Sequence, residues 1–323
     1  MLKACIVITA FNGDDDLHEA IRSLHRQSRK DFEVVIVNNS HWPLKNTESW
    51  SEFKWLKIIQ SNQNSGFSGG SNLGAKGTTA EWIITLNPDA WPKPDWFEKL
   101  MIAADNFKKY DMLSSTLIKS ENQSVLDGAG DCFSIFGIGW RGGQGQNIEN
   151  LPKRHREVLA PCGAAAAYRR EIFEKNNGFD TDYFCYLEDL DLGLRLQSQG
   201  HKCLHVFDAE LLHVGGGSVE VSNSFKFYHT HKNQVRLIAK LTPGWLLPIH
   251  LLLNLAGQSY LIMRTSASLG RYSKWRGFKH GIVAIPMVLM RSRRESQANR
   301  KISTWEYAKL ISWSFFKLRQ KSL

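Results

Sequence analysis

The sequence predicts an α/β protein built on a single Rossmann-like, mostly parallel sheet, followed by a helical extension of different character. Three observations predict it. Trp82 to Leu86 is a run of bulky residues without polar alternation, the pattern of a strand covered on both faces. Lys3 to Val37 reads as strand, helix and strand joined by short turns, a crossover unit that makes neighbouring strands parallel. Residues 224–323 carry 18 Lys and Arg against two acids, Glu295 and Glu306, a balance of +16 that leaves −6 for the first 223 residues. The extension therefore faces phosphate, as an anionic membrane or a nucleic acid presents it.

In order, Lys3 to Ala10 is a β-branched strand that stops at Phe11, Asn12 and Gly13. Asp14 to Asp16 then open a helix in which Leu17, Ala20, Ile21 and Leu24 share a face. Phe32 to Val37 and Trp55 to Ile59 are further strands, the first ending in Asn38, Asn39 and Ser40. The segment SNQNSGFSGGSNLGAKG interleaves Gly66, Gly69, Gly70 and Gly74 with Asn62, Asn64 and Asn72; it reads as a loop with a helix from Ser71. Pro94 opens a helix burying Trp96, Phe97, Leu100, Met101 and Ala104. Asp111 to Ile118 is a strand, Lys119 to Pro152 irregular or a hairpin, and Val158 to Arg170 a strand of small residues. His201 to Phe207 and Glu210 to Leu212 are two short strands. The five cysteines are widely spaced and lack a Cys-x-x-Cys pair, which points to reduced, buried thiols. The apolar N-terminal run has eight residues and meets three acids without a small-x-small site, so it reads as a strand and not as an export signal.

Chemistry concentrates at three places. Asp89 sits in the turn after Trp82 to Leu86, off the carboxyl end of a strand, where α/β sheets hold ligands. Glu188, Asp189 and Asp191 crowd the start of a helix. Asp191 is read as the ion-pair partner of Arg195, and Asp189 as the acid facing an open site. His213 ends a strand beside Gly215, Gly216 and Gly217 and is a candidate metal ligand.

These segments are ILE6 to Asn12, Val34 to Ser40, NSGFSGGSNLG at 64–74, LNPDA at 86–90, GFDTDYFCYLEDLDLGLRL at 178–196 and LLHVGGGS at 211–218. In this order they resemble a family 2 glycosyltransferase of the GT-A fold, most like bacterial rhamnosyltransferases. The resemblance implies inverting transfer of a sugar from a nucleoside diphosphate sugar, dTDP or UDP, to a glycan or polyprenyl-diphosphate-linked acceptor in cell-surface polysaccharide assembly. It makes Asp189 the base, with Glu188 in reserve. It makes Asp89 and His213 the ligands of Mg²⁺ or Mn²⁺, in a motif that here reads Asn87, Pro88, Asp89. Thr9, Ala10, Phe11, Asn38, Asn64, Gly66, Gly70, Asn72, Asn87 and Asp89 then form the nucleotide-sugar pocket. The expected catalytic domain is 1–222, with the donor side at about 1–118 and the acceptor side at about 119–222.

Residues 223–323 form the extension. Residues 223–242 read as a helix, Trp245 to Met263 and Ile282 to Met290 as apolar runs, and Trp305 to Leu318 as an amphipathic helix. Pro248, His250, Asn254 and Gln258 interrupt the longer run. This argues for helices lying peripherally in a membrane interface, basic residues toward the headgroups, and the resemblance implies the cytoplasmic face of a bacterial inner membrane. A nucleotidyltransferase needs a cation within the glycine-rich segment, which Lys76 lies beyond. A nucleic-acid binder needs a recognisable module, which the basic tail does not offer. Oligomerisation is compatible with the sequence.

Overall fold

Alternate side chains of the doubly buried central strands enter opposite faces and build two apolar layers on one sheet. The computed structural model describes residues 2–11, 14–215, 223–266 and 270–322, so the expected turn at Asn12 and Gly13 and the glycines Gly216 and Gly217 lie outside it. Strands β1 (Ala4–Ala10), β2 (Phe32–Asn38), β3 (Leu56–Gln60) and β4 (Trp82–Leu86) pair in parallel in the order β3-β2-β1-β4. Helix α1 (Asp14–His25) packs Leu17, Ile21 and Leu24 against Ile6 and Ile8, and α3 (Trp96–Asn106) adds Trp96 and Phe97 to the same layer. Cys5 and Val7 point the other way, into a layer shared with Ala75 of α2 (Gly66–Ala75), Phe173 of α4 (Arg170–Lys175) and Leu192 of α5 (Glu188–Ser198).

Helix α2 begins at Gly66, five residues before the position expected from the sequence. The glycines serve contact with the sheet: a Cβ on Gly70 would lie 2.5 Å from Thr9 Cγ2, and one on Gly74 2.4 Å from Val7 Cγ1. Close helix-to-strand packing therefore overrides the poor helix propensity of GFSGGS.

The sheet continues β4-β11-β6-β12-β10, through β6 (Met112–Lys119), β10 (Arg156–Val158), β11 (Ala165–Arg169) and β12 (Cys203–His213). The expected strand from Val158 to Arg170 is thus two strands, β10 and β11, and the two short strands after His201 are one, β12, with a register shift between His205 and Glu210. Strand β11 runs antiparallel to both its neighbours, whereas β6 and β12 are parallel. The segment expected to be irregular contains β7 (Leu126–Gly128), paired with β6, and a hairpin of β8 (Asp131–Phe133) with β9 (Gly139–Arg141). The short β5 (Ala90–Pro92) lies against β12. All five cysteines are free thiols.

Helix α6 (Asn223–Leu241) returns to the α/β part of the molecule, and α7 (Leu246–Met263), α8 (Arg271–Met290), α9 (Ser292–Ala298), α10 (Thr304–Leu310) and α11 (Phe315–Gln320) follow. The expected helix from Trp305 to Leu318 is broken into α10 and α11, and Ile282 to Met290 is the second half of α8, which accommodates Pro286. Lys240 of α6 ties the extension down by salt bridges to Asp180 (2.7 Å) and Asp191 (2.8 Å). Helix α7 is inside out. His250, Asn254 and Gln258, one turn apart, are buried, while Leu252, Leu255 and Met263 are exposed. His250 meets Thr242 and the Ser134 carbonyl, Asn254 donates to the Phe136 carbonyl, and Gln258 bonds His231 and Gln234. Among the described residues α7 is one helix long and apolar enough to cross a membrane.

Replacing Gly70 by alanine should destabilise the protein by about 1–3 kcal/mol, the range of an overpacked core, because neither Thr9 nor Asn39 can retreat from the sheet. Urea unfolding of the variant beside the wild type measures it.

Candidate active site

Asp89 follows β4, and its carbonyl accepts from Val214 N (3.0 Å), which fastens the turn to the end of β12. β5 and β12 place Ala90 opposite His213. His213 Nε2 thereby comes within 3.5 Å of Asp89 Oδ1, while Nδ1 donates to Asp127 Oδ2 at 2.7 Å. Arg141 of β9 pairs with the same Asp127 oxygen. Asp89, Asp127 and His213 are all buried, yet His213 Nε2 has no hydrogen-bond partner. Burial pulls the His213 imidazole down, but Asp127 and Asp89 outweigh it and hold the group above its ordinary value. Burial likewise raises both carboxyls; the His213 hydrogen bond and the Arg141 charge bring Asp127 below the usual range, and the adjacent His213 imidazole does the same for Asp89.

The acids at 188–191 occupy three different environments. Asp191 is fully buried and bound by Arg195 Nε (2.8 Å), Tyr183 Oη (3.1 Å) and Lys240, so it is part of the scaffold, as read from its spacing to Arg195. Glu188 is buried with Oε2 unpartnered; burial first, and the charge of Asp189 second, hold its carboxyl well above the ordinary value. Asp189 is half-exposed, and its Oδ2 accepts from Gly163 N at 2.8 Å. The chain reaches this helix through Phe184, Tyr186 and Leu187, all with φ between 62° and 70°, a left-handed conformation costly for such side chains. The Asn233 amide of α6 holds that turn by donating to the carbonyls of Tyr183, Cys185 and Tyr186 at 2.8–3.0 Å.

The two centres meet on residues 162–164. Asn87 N donates to the Ala164 carbonyl (2.9 Å), Thr85 Oγ1 to the Gly163 carbonyl (2.8 Å), and Gly163 N to Asp189. The charge of Arg141 reaches both Asp89 and Asp189. Asn87, Asp131, Arg141, Glu188 and Asp189 line one cleft of about 300 Å³. Asp131, Cys162 and Asp189 bring their side-chain oxygens and sulfur within 4.8 Å of one another, and burial, then the charge of Asp189, holds Asp131 well above its ordinary value.

A family model, Glycosyl transferase family 2, matches residues 5–176. The chain belongs to that family. This glycosyltransferase is 25% identical over 294 residues to an N-acetylglucosaminyl-diphospho-decaprenol L-rhamnosyltransferase of Mycobacterium tuberculosis, covering 83% of this chain and 95% of the relative. It is 27% identical over 224 residues to the O-antigen biosynthesis protein RfbC of Myxococcus xanthus, covering 65% of this chain and 17% of that protein. Two solved structures, each 14% identical with a TM-score of 0.51, share its GT-A fold: S. aureus TarS 1-349, covering 98% of this chain and 91% of that one, and a mannosyltransferase of Pyrobaculum calidifontis in complex with GDP-Man and Mn²⁺, covering 90% and 87%.

In the glycosyltransferase the remaining residues read as a nucleotide pocket separate into rim and framework. Thr9, Ala10 and Phe11 end β1, with Phe11 exposed and Thr9 Oγ1 3.2 Å from Ser71 Oγ. Asn38 is buried, its amide donating to the Trp42 carbonyl and Gln60 Oε1 at 2.8 Å each and its oxygen accepting from Ser40 N. Its side chain thus shapes the turn after β2 and has no free N–H for a base. Asn64 is exposed and accepts from Gly66 N (3.0 Å) at the start of α2. Gly66 and Gly70 also pack closely: a Cβ on Gly66 would sit 2.2 Å from the Phe184 carbonyl oxygen. The Asn72 amide both donates to and accepts from the Phe179 backbone (2.8 and 2.9 Å), joining α2 to the turn that leads to α5. Sequence reading passed over Asp127, Asp131 and Arg141. The acids of LDGAGD at 126–131 were the available signal, hidden by turn-like composition.

Glu188→Gln tests the buried acid. A carboxyl raised by burial is protonated in the fold while the unfolded chain ionises near pH ~4.3, so wild-type stability falls as pH rises above that value, by up to about 1.4 kcal/mol per unit. Glutamine removes this term. The variant should gain on the wild type between pH 4.5 and pH 8 in urea unfolding.

Proposed function

We propose that the cleft transfers a sugar, rhamnose in preference, from a dTDP or UDP sugar to a hydroxyl of a glycan or lipid-linked glycan, with inversion at the anomeric carbon. The observation that carries this reading is the 162–164 segment, hydrogen-bonded on one side to the Asn87 turn and on the other to Asp189. A donor held at the turn of Asn87 and Asp89 and an acceptor held at Asp189 then lie on either side of that segment. The Mycobacterium relative, named for rhamnosyl transfer to a diphospho-decaprenol acceptor, supports the choice of sugar and acceptor.

Asp189 takes the proton of the attacking hydroxyl. Gly163 N–H fixes one carboxyl oxygen, and the clamp of Asn233 on the strained turn fixes the direction of the helix start. Glu188, buried and with its carboxyl held well above the ordinary value, contributes a polar wall to the cleft. Asp89 and His213 fit a divalent cation, Mg²⁺ or Mn²⁺. The buried, unpartnered Nε2 faces a carboxylate, and Asp127 orients the other ring nitrogen, the arrangement of a carboxylate-oriented metal histidine. Such an ion supplies charge neutralisation to the departing diphosphate. Asn87 lines the same cleft and is available to the ribose or sugar.

The extension is read as a peripheral membrane anchor on the cytoplasmic face. The outward apolar surface of α7, exposed Trp275, Val283 and Met287 of α8, and the neighbouring Arg264, Arg271, Lys274 and Arg276 support it.

Asp189→Asn should lower transfer by ~10²–10⁴ while nucleotide binding persists, and Asp89→Asn should abolish the cation-dependent part of nucleotide binding. Sugar release from dTDP and UDP donors with Mg²⁺ or Mn²⁺, beside nucleotide titration, reads both. Unchanged turnover in Asp189→Asn would remove it from the base role.

A further inference from the structure

One rim of the cleft carries three cations, of which only Arg141 meets a carboxylate among the described residues. Arg141 engages Asp127 through Nη1, and among the described residues Nε and Nη2 meet no acceptor. Lys226 of α6 lines the cleft, is exposed and has no ion-pair partner among the described residues. A third cation arrives from the far end of the chain. Gly143 N donates to the Lys321 carbonyl (2.7 Å), Trp140 Nε1 to the Ser322 carbonyl (3.1 Å) and Gln146 Nε2 to the Gln320 carbonyl (3.4 Å). These bonds lay residues 320–322 along the strand and turn that bear Arg141. Lys321 Nζ then donates to Gln144 Oε1 at 2.5 Å, and Gln144 is itself a cleft residue.

Three separate parts of the chain thus converge on one rim, where the charges of Asp127 and Asp189 act on Arg141 and leave Lys226 and Lys321 without an ion pair among the described residues. Asp127 is engaged with His213 and Arg141, and Asp131 and Glu188 are held toward their neutral forms. Lys321 senses the crowding: its ammonium end is partly desolvated and repelled by Arg141, Lys226 and Lys119, against the attraction of Asp127, and its proton affinity is lowered. Like charges gathered with fewer counter-charges are stabilised by an anion placed among them, and a planar guanidinium with two flanking ammoniums suits a diphosphate.

We infer that Arg141, Lys226 and Lys321 form a diphosphate site on the acceptor side of the cleft, distinct from the donor diphosphate at Asp89 and His213. The ligand class is a sugar diphosphate ester whose free hydroxyl reaches Asp189. The inference rests on the transferase reading, which supplies the acceptor, but its test needs no turnover. Full-length protein in detergent is titrated with inorganic diphosphate in EDTA, and separately with UDP or dTDP plus Mn²⁺. Lys226→Ala/Lys321→Ala should weaken inorganic diphosphate about tenfold, Lys226→Arg/Lys321→Arg should restore it, and nucleotide affinity should move less than about twofold. Wild-type protein that does not bind inorganic diphosphate, or a double alanine variant that binds it unchanged, would overturn the site. An equal loss on the nucleotide would also overturn it, by assigning the cations to the donor. Loss of transfer in Asp189→Asn bears on the base alone and leaves this result independent.

Discussion

Strand β11 runs against the direction of β4 and β6, and the site depends on that reversal. Strands β4 and β6 are separated in sequence by β5 and α3, and a parallel strand between them would carry its entering residues to the opposite edge of the sheet. Running backwards, β11 begins where β4 ends, so Ala165 pairs with Leu86 and the residues just before it, 162–164, lie at the carboxyl edge. There Gly163 is free to use its amide on Asp189, because the ladder bonds of the strand begin only after it. An alanine-rich strand suits this position: Ala165, Ala166 and Ala167 are all buried, and small side chains let the segment pass between two apolar layers.

Electrostatics divide the cleft by the same logic. Acids within four residues of one another have unlike roles because their partners differ. Asp191 has two cations and a phenol, Glu188 has a dry wall, and Asp189 has a backbone amide and an opening. Opposite them, His213 is suspended between two carboxyls with one nitrogen oriented and the other unused. Neither arrangement follows from the count of charges, only from which element carries each one into the cleft.

Much of this was legible in the sequence where the apolar pattern was regular. The doubly buried β4, the alternation of β1 between two layers, the Asp191 to Arg195 pair and the first turn of α5 follow from period and spacing. The antiparallel sense of β11 was not legible, because a run of alanines has no amphipathic face to orient it. Nor was the helical state of GFSGGS, since glycine disfavours a helix until a strand presses against it, and the contacts of Gly70 with Thr9 exist only in the fold. Asp127 and Asp131 escaped because DGAGD has the composition of a turn, while their partners His213 and Asp189 are 86 and 58 residues away.

Helix α7 reverses the usual rule for choosing surface substitutions. On a hydropathy trace His250, Asn254 and Gln258 look like the tolerant positions and the leucines like the core, but the polar side chains fill the interior and Leu252 is two-thirds exposed. Anyone wishing to handle this chain without detergent should therefore recolour Leu252, Leu255 and Met263 with polar residues and leave the buried trio untouched, since a leucine at 254 would strip the Phe136 carbonyl of its donor.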